Sequence, residues 1–172
     1  ATATRACGSS SRGVISGGYA GGETNVMDYV TFASAGNATD FGDISTGNLR
    51  NHSSLSSSTR GVLAGGYASG VSESINNIQY ITIANTGNTA DFGDLSGTKW
   101  QLAASSSPTR GVFGGGEVVG GDRWDVIEYI TIASTGNVTD FGNLSATRYE
   151  LDSVASQTRA LFAAGRDSGG YS

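Results

Sequence analysis

The chain has 172 residues and a formal net charge of −5, from 10 lysines and arginines against 15 aspartates and glutamates. This acidic balance argues against a nucleic-acid partner, because phosphate binding needs a positive surface. One histidine and one cysteine are too few for an intrachain disulfide or a zinc site of the histidine–cysteine type, so we expect no metal or other cofactor. No run of 18 apolar residues occurs, so we expect no membrane insertion.

Glycine contributes 27 residues, roughly twice its usual share, whereas there is a single proline. Serine, threonine and alanine are also abundant. Such a composition is poor for helices and suits short strands joined by turns. It therefore predicts an all-β fold.

One segment recurs along the whole chain at a spacing close to 49 residues. Its clearest copy is Thr-Arg-Gly-Val-Leu-Ala-Gly-Gly-Tyr at 59–67. Tyrosines and Asp-Phe-Gly triplets repeat at the same spacing. The repeated landmarks are Arg12, Arg60, Arg110 and Arg159; Tyr29, Tyr80 and Tyr129; and the triplets 40–42, 91–93 and 140–142. The repeats predict one domain over 1–172, with units at about 1–47, 48–97 and 98–146 and a partial unit at 147–172.

Each unit is predicted to contain four strands. The chain opens with a first strand at 2–10, whose equivalents are the polar segments 100–105 and 149–154. The second strand is 61–66, and it ends at a glycine pair. The third strands are 26–33, 78–84 and 127–133, and the fourth lies around 92–95. Gly-Asn pairs at 36–37, 87–88 and 136–137 indicate hairpin turns between the third and fourth strands.

The third strand indicates how the sheets pack. Ile78, Tyr80 and Thr82 alternate with Gln79, Ile81 and Ile83, so both faces of the strand carry large apolar groups. A sheet with one face in water shows a cleaner alternation. Stacked four-stranded units of this length predict a β-propeller.

These residues resemble the kelch repeat. The resemblance rests on Gly65-Gly66, on Tyr80 in the next strand, on Phe92 with Leu95, and on Arg110 before the next unit. Phenylalanine stands where kelch units usually have tryptophan, and the fourth unit lacks the glycine pair. The sequence of residues 129–142 is also similar to tandem repeats in structural and tail proteins of marine and cyanobacterial phages. The family resemblance implies a propeller scaffold that binds through its loops.

The predicted strands make about 3.5 blades, which is too few for a closed propeller of 4–8 blades. One hypothesis is self-association: two chains would supply 28 strands, enough for a seven-bladed ring with twofold symmetry. The alternative is that the chain is part of a longer propeller, since residues 168–172 stop where a third strand would begin.

The repeated arginines are the first candidate site. Arg12, Arg60 and Arg110 each begin a second strand, so in a ring they would form a circle able to bind an anionic sugar. The alternative is that each arginine forms a salt bridge with an aspartate of a neighbouring blade and so holds the two blades together. The aspartates available for that role are Asp40, Asp91 and Asp140.

The loops after the second strands are the second candidate site, because they differ most between the units. They place Tyr19, Tyr67 and Trp124 beside acidic and amide side chains, including Glu117. Aromatic faces flanked by such groups suit a sugar ring, although the aromatics could simply cover blade edges.

Two functions are consistent with these features. The first is a non-catalytic binding or structural module, on a virion or outside a cell, whose loops recognise a glycan or a surface protein. The second is a glycosidase resembling a sialidase, which would use the repeated arginines and a carboxylate. Because catalytic groups are scarce, we expect that the chain is not an enzyme.

Overall fold

The computed structural model describes residues 2–71, 73–167 and 170–171, with only the backbone described for the last pair. Strands account for all of its regular structure, and the described residues contain no helix long and apolar enough to cross a membrane. The strands are β1 Arg5–Gly8, β2 Arg12–Ser16, β3 Val26–Thr31, β4 Thr39–Asp43, β5 Leu49–Arg50, β6 Ser53–Ser56, β7 Arg60–Ala64, β8 Tyr67–Ala68, β9 Glu73–Ser74, β10 Asn77–Thr82, β11 Ala90–Asp94, β12 Ala103–Ser106, β13 Arg110–Gly114, β14 Val126–Thr131, β15 Thr139–Asn143, β16 Asp152–Ala155, β17 Ala160–Ala163, β18 Arg166–Asp167 and β19 Gly170–Tyr171.

Each full repeat forms one four-stranded antiparallel sheet, as predicted. The strand orders are β1-β2-β3-β4, β6-β7-β10-β11 and β12-β13-β14-β15, and β16-β17 begin a fourth sheet. We call these sheets blades 1 to 4 and label their strands A to D in chain order. Strand B is shorter than the sequence predicts, because Gly65 and Gly66 adopt φ angles of +61° and +106° and turn the chain out of the sheet.

The A strands bring the blades together around a common axis. β6 lies between β1 and β12, and β12 in turn contacts β16. Serine hydroxyls tie these strands to one another: Ser54 donates to the carbonyl of Ala6 at 2.8 Å, and Ser106 donates to that of Ser56 at 2.8 Å. Short polar side chains suit this position because they allow the backbones to lie close together.

The hydrophobic core lies between the blades. One cluster joins blades 1 and 2 and includes Phe41, Ile81 and Ile83. A second cluster joins blades 2 and 3 and includes Ile78 and Phe92. The third strand of blade 2 therefore buries Ile78 on one side and Ile81 on the other, which confirms the predicted packing of both faces.

The strand connections lie on two opposite faces of the arc of blades. The upper face carries the B-to-C and D-to-A connections, at 17–25, 65–76, 115–125, 44–52, 95–102 and 144–151. The lower face carries the A-to-B and C-to-D connections, at 9–11, 57–59, 107–109, 156–159, 32–38, 83–89 and 132–138. The small sheet β5-β8-β9 belongs to the upper face. The predicted unit boundaries near 47, 97 and 146 fall in its D-to-A connections.

Candidate recognition face

The repeated arginines lie at the lower face, where they clamp neighbouring blades. Arg12 of blade 1 donates from Nη1 to the carbonyls of Ile83 and Ala84 at 2.9 and 3.0 Å. Arg60 of blade 2 donates to the carbonyl of Ile132 at 2.7 Å. The guanidinium groups of Arg12, Arg60 and Arg110 each lie 4.3 Å from the ring centre of a tyrosine in strand C of their own blade.

The proposed pairing of these arginines with Asp40, Asp91 and Asp140 is wrong. The next blade does supply the partner of Arg12 and of Arg60, but the acceptors are backbone carbonyls at the end of its strand C. Those carbonyls lie where the chain leaves the sheet, so no ladder hydrogen bond occupies them. The aspartates stand inside the D strands β4, β11 and β15.

The phenylalanines of the Asp-Phe-Gly triplets differ in burial. Phe41 and Phe92 are each only 2% exposed. Phe141 in blade 3 is 57% exposed, because the described residues include no C strand of a following blade to cover it.

The loop candidates lie at the upper face, at the opposite end of the B strands from the arginines. Tyr19, Tyr67 and Glu117 occupy the same position, directly after the glycines that end strand B. Strand B, which begins at the arginine, is five residues or about 16 Å long, and the glycine pair follows it before Tyr19, Tyr67 or Glu117. The two groups of candidates therefore do not form one site, and Glu117 does not lie beside the repeated arginines.

A row of charged and aromatic residues crosses the upper face. The Nε atom of Arg50 lies 3.1 Å from Oε1 of Glu23, and its guanidinium lies over the rings of Tyr67 at 4.5 Å and Trp100 at 5.6 Å. The two rings are 5.9 Å apart. We call this set the aromatic–charge row; its members are Glu23, Arg50, Tyr67, Trp100, Glu117, Arg123 and Tyr149.

The row continues from blade 2 into blade 3 and beyond. Trp100 pairs through its backbone with Glu117, and Nε of Arg123 lies 4.0 Å from Oε2 of Glu117. The guanidinium of Arg123 then lies 4.9 Å from the ring centre of Tyr149, which precedes blade 4. Partial burial raises the pKa of Glu117; Glu150 adds to this increase, and Arg123 opposes it.

The other predicted aromatics of the upper face differ in exposure. Tyr19 is 44% exposed, and its backbone pairs with Thr2 and Glu23. Trp124 is not an exposed aromatic, because its ring lies 4.8 Å from Nζ of Lys99 and covers Gly97. A Cβ at Gly97 would lie 2.9 Å from the Trp124 ring, so this tryptophan packs against the preceding blade.

The single histidine and the single cysteine of the chain, two residue types common in active sites, are both buried. His52 is fully buried, its Nε2 lies 2.9 Å from the hydroxyl of Ser16, and burial lowers its pKa to about 3. Burial raises the pKa of the Cys7 thiol to about 12. Within the described ranges, no cluster of three histidine, cysteine or acidic side chains is arranged to hold a metal ion.

A chain of three backbone hydrogen bonds links the four blades near their common axis. The amide of Asn51 donates to the carbonyl of Ala3 at 3.2 Å, Gln101 to Asn51 at 2.9 Å, and Glu150 to Gln101 at 3.0 Å. All four residues have positive φ angles between 52° and 59°. Beneath them is an axial cavity of about 370 Å³, lined in part by Arg5 and Asp152.

Sequence reasoning did not identify Arg50, Trp100 or Tyr149 as functional candidates. They occupy one register position, two residues before the end of each D-to-A connection. The repeat spacing alone could therefore have grouped these three residues. The grouping is hard to recognise because the residue type at this position differs in every unit.

The chain was compared with proteins of known family and structure. No family model matches the sequence, and no curated protein matches it. The fold matches 145 chains of known structure, including YjhT, a propeller-fold protein, with a TM-score of 0.77 and 10% sequence identity. The match covers 98% of this chain and 63% of the YjhT chain. It confirms the predicted β-propeller fold, while the kelch and phage resemblances stay predictions.

Proposed function

We propose that this chain is a non-catalytic recognition module, virion-associated or extracellular, that binds a glycan or a surface protein with its upper face. The aromatic–charge row carries this proposal. Tyrosine, tryptophan and arginine are the side chains that contribute most at recognition surfaces, because they combine a large apolar area with directed polar groups. Here Arg50, Tyr67 and Trp100 lie in mutual contact on the loops of a rigid scaffold.

The loop chemistry also favours recognition over turnover. The B-to-C connections vary between the blades, whereas the clamps beneath them repeat. The burial of His52 and Cys7 removes both from contact with a substrate. At this face the pKa of Glu117 is raised. Its carboxylate lies beside the guanidinium of Arg123, and the two groups together can hydrogen-bond a ligand hydroxyl.

A glycan array and immobilised candidate surface proteins would test the proposal. We expect saturable binding that weakens at least tenfold in Tyr67→Ala and in Glu117→Gln. The matched control is Phe32→Ser, which removes an exposed aromatic from the lower face and should leave the affinity unchanged. Equal binding by all the variants would contradict the assignment of the face. Hydrolysis of chromogenic glycosides that vanishes in Glu117→Gln would show instead that the chain is an enzyme.

A further inference from the structure

The aromatic–charge row contains as many carboxylates as guanidinium groups. Its negative charges are Glu23 and Glu117, and its positive charges are Arg50 and Arg123, so its formal charge is zero. Each arginine lies beside one of the glutamates. Nε of Arg50 is 3.1 Å from Oε1 of Glu23, and Nε of Arg123 is 4.0 Å from Oε2 of Glu117. The row therefore contains no guanidinium without a carboxylate neighbour.

A third arginine–glutamate pair stands beside the row. Nε of Arg166 lies 3.5 Å from Oε2 of Glu150. The three pairs use different positions of the repeat: the first joins blade 1 to blade 2, the second lies within one B-to-C connection, and the third joins a D-to-A connection to β18. Pairing of the charges thus recurs although the positions do not, so it is not a by-product of the repeat.

Aromatic rings cover the same guanidinium groups. That of Arg50 lies 4.5 Å from the ring centre of Tyr67 and 5.6 Å from that of Trp100, and that of Arg123 lies 4.9 Å from that of Tyr149. The side chains of Arg50 and Arg123 are only 30% and 27% exposed. Arginine binds an anion through several N–H groups at once. An anionic ligand would here compete with the glutamates for those groups.

The surroundings of the row are acidic. The B-to-C connections add Glu73, Asp122 and Asp125, and the first two of these are exposed. The D-to-A connections add two cations, Lys99 and Arg148, and the ammonium group of Lys99 is buried in its own ion pair. The field of such a face repels an anionic ligand during its approach.

We propose, resting on the recognition function of this face, that its ligand is a neutral glycan and that the arginine–glutamate pairs set this preference. A sugar hydroxyl donates one hydrogen bond and accepts others, so a carboxylate beside a guanidinium matches it without adding charge. Tyr19, which is 44% exposed, and Tyr67 add apolar area for the carbon face of a sugar ring. An acidic sugar would find no unpaired guanidinium in the row.

Matched pairs of oligosaccharides test this preference. Each neutral chain is arrayed with and without a terminal sialic acid or sulfate, and the neutral chain that binds best is then titrated in solution beside its acidic counterparts. We expect the acidic group to weaken binding about threefold or more. The affinity for the neutral chain should change less than about twofold between roughly 50 and 500 mM NaCl, because no ligand charge is available to be screened.

The outcomes separate this proposal from the recognition function itself. A preference for acidic chains, or an affinity that falls steeply with salt, would overturn the neutral ligand and leave recognition by the upper face intact. Binding to an immobilised surface protein but to no glycan would do the same. Binding to neither would contradict both.

Two glutamine variants identify the origin of the preference. Glu23→Gln removes the carboxylate beside Arg50, so the affinity for acidic chains relative to neutral ones should rise about threefold or more. Glu73→Gln is the matched control, because it removes the same charge from an exposed position of the upper face and unpairs no arginine of the row. The ratio should change little in that variant. An equal rise in both variants would mean that net charge sets the ratio, and would overturn the role of the pairs.

Discussion

Lys99 and Glu128 form an ion pair that is buried between blades 2 and 3. Nζ of Lys99 lies 2.5 Å from Oε1 of Glu128, and both side chains are 1% exposed. The amide of Ser96 donates to the other carboxylate oxygen at 3.2 Å, and the ring of Trp124 covers the ammonium group. The pair joins the D-to-A connection of blade 2 to strand C of blade 3, so it fixes the relative position of the two blades.

Removal of one partner should therefore destabilise the protein strongly. We expect Glu128→Gln and Lys99→Leu each to lower the free energy of unfolding by about 3–5 kcal/mol, because each leaves a buried charge without its counterion. Urea unfolding at neutral pH measures this effect.

The junction of blades 1 and 2 supplies the control for the ion pair. Leu49 and Gln79 occupy the positions of Lys99 and Glu128 there, and both are buried. The double variant Lys99→Leu/Glu128→Gln should therefore lose less than half of the free energy of unfolding that the two single variants lose when their losses are added. Losses that simply add would show that the two charges do not depend on each other.

The sequence predicted the blade but not the contacts between blades. Alternation along 78–83 determines which side chains point to each face, so the burial of Ile78 and Ile81 on opposite sides could be deduced. The Gly-Asn pairs predicted the turns because both residues tolerate positive φ. These features depend on neighbours within one repeat.

Contacts between blades depend on how adjacent repeats are offset, which a repeat period does not define. The partner of Arg60 is the carbonyl of Ile132. Every residue has a backbone carbonyl, so the residue types do not show which one is the acceptor. The Lys99–Glu128 pair occurs at one junction only, so no repetition marks it. The aromatic–charge row combines Arg50, Trp100 and Tyr149, which share a position and differ in chemistry.

The arginine clamp predicts a difference between two identical substitutions. Arg60→Lys should lower the free energy of unfolding by about 1–2 kcal/mol, because lysine loses the bond to Ile132 and stacks less well on Tyr80. Arg110→Lys is the matched control, since Arg110 stacks on Tyr129 but donates to no carbonyl of another blade among the described residues. Thermal unfolding of both variants makes the comparison, and equal losses would mean that the carbonyl bond contributes nothing.

The Gly-Asn turns allow a similar comparison between a clamped and an unclamped copy. Asn137→Ala removes the acceptor of the Asp94 amide, whereas Asn37→Ala changes an exposed turn that contacts no other blade among the described residues. We expect Asn137→Ala to cost about 1 kcal/mol more, the usual net value of such a hydrogen bond. Hydrogen exchange at Asp94 should also accelerate in that variant. An unchanged Asp94 amide would contradict the role of the turn as a clamp.

His52 should make the stability of the protein depend on pH. Its pKa is about 3 in the folded protein, against an ordinary value of 6.5. Between those values the unfolded chain binds a proton that the folded chain does not, so stability falls as the pH falls. The full contribution of His52 is present above pH 6.5, and the loss approaches about 1.4 kcal/mol per pH unit below it.

Urea unfolding at pH 7.5 and pH 5.5 isolates this contribution, because most carboxylates stay ionised in that range. The matched variant is Ser16→Ala/His52→Leu, which reproduces the residues at the equivalent positions of blade 2, Ala64 and Leu102. Both of those residues are buried, so the double variant should fold and should lose most of the dependence on pH. If the wild type and the double variant lose equal stability between the two pH values, then His52 is not the group that titrates.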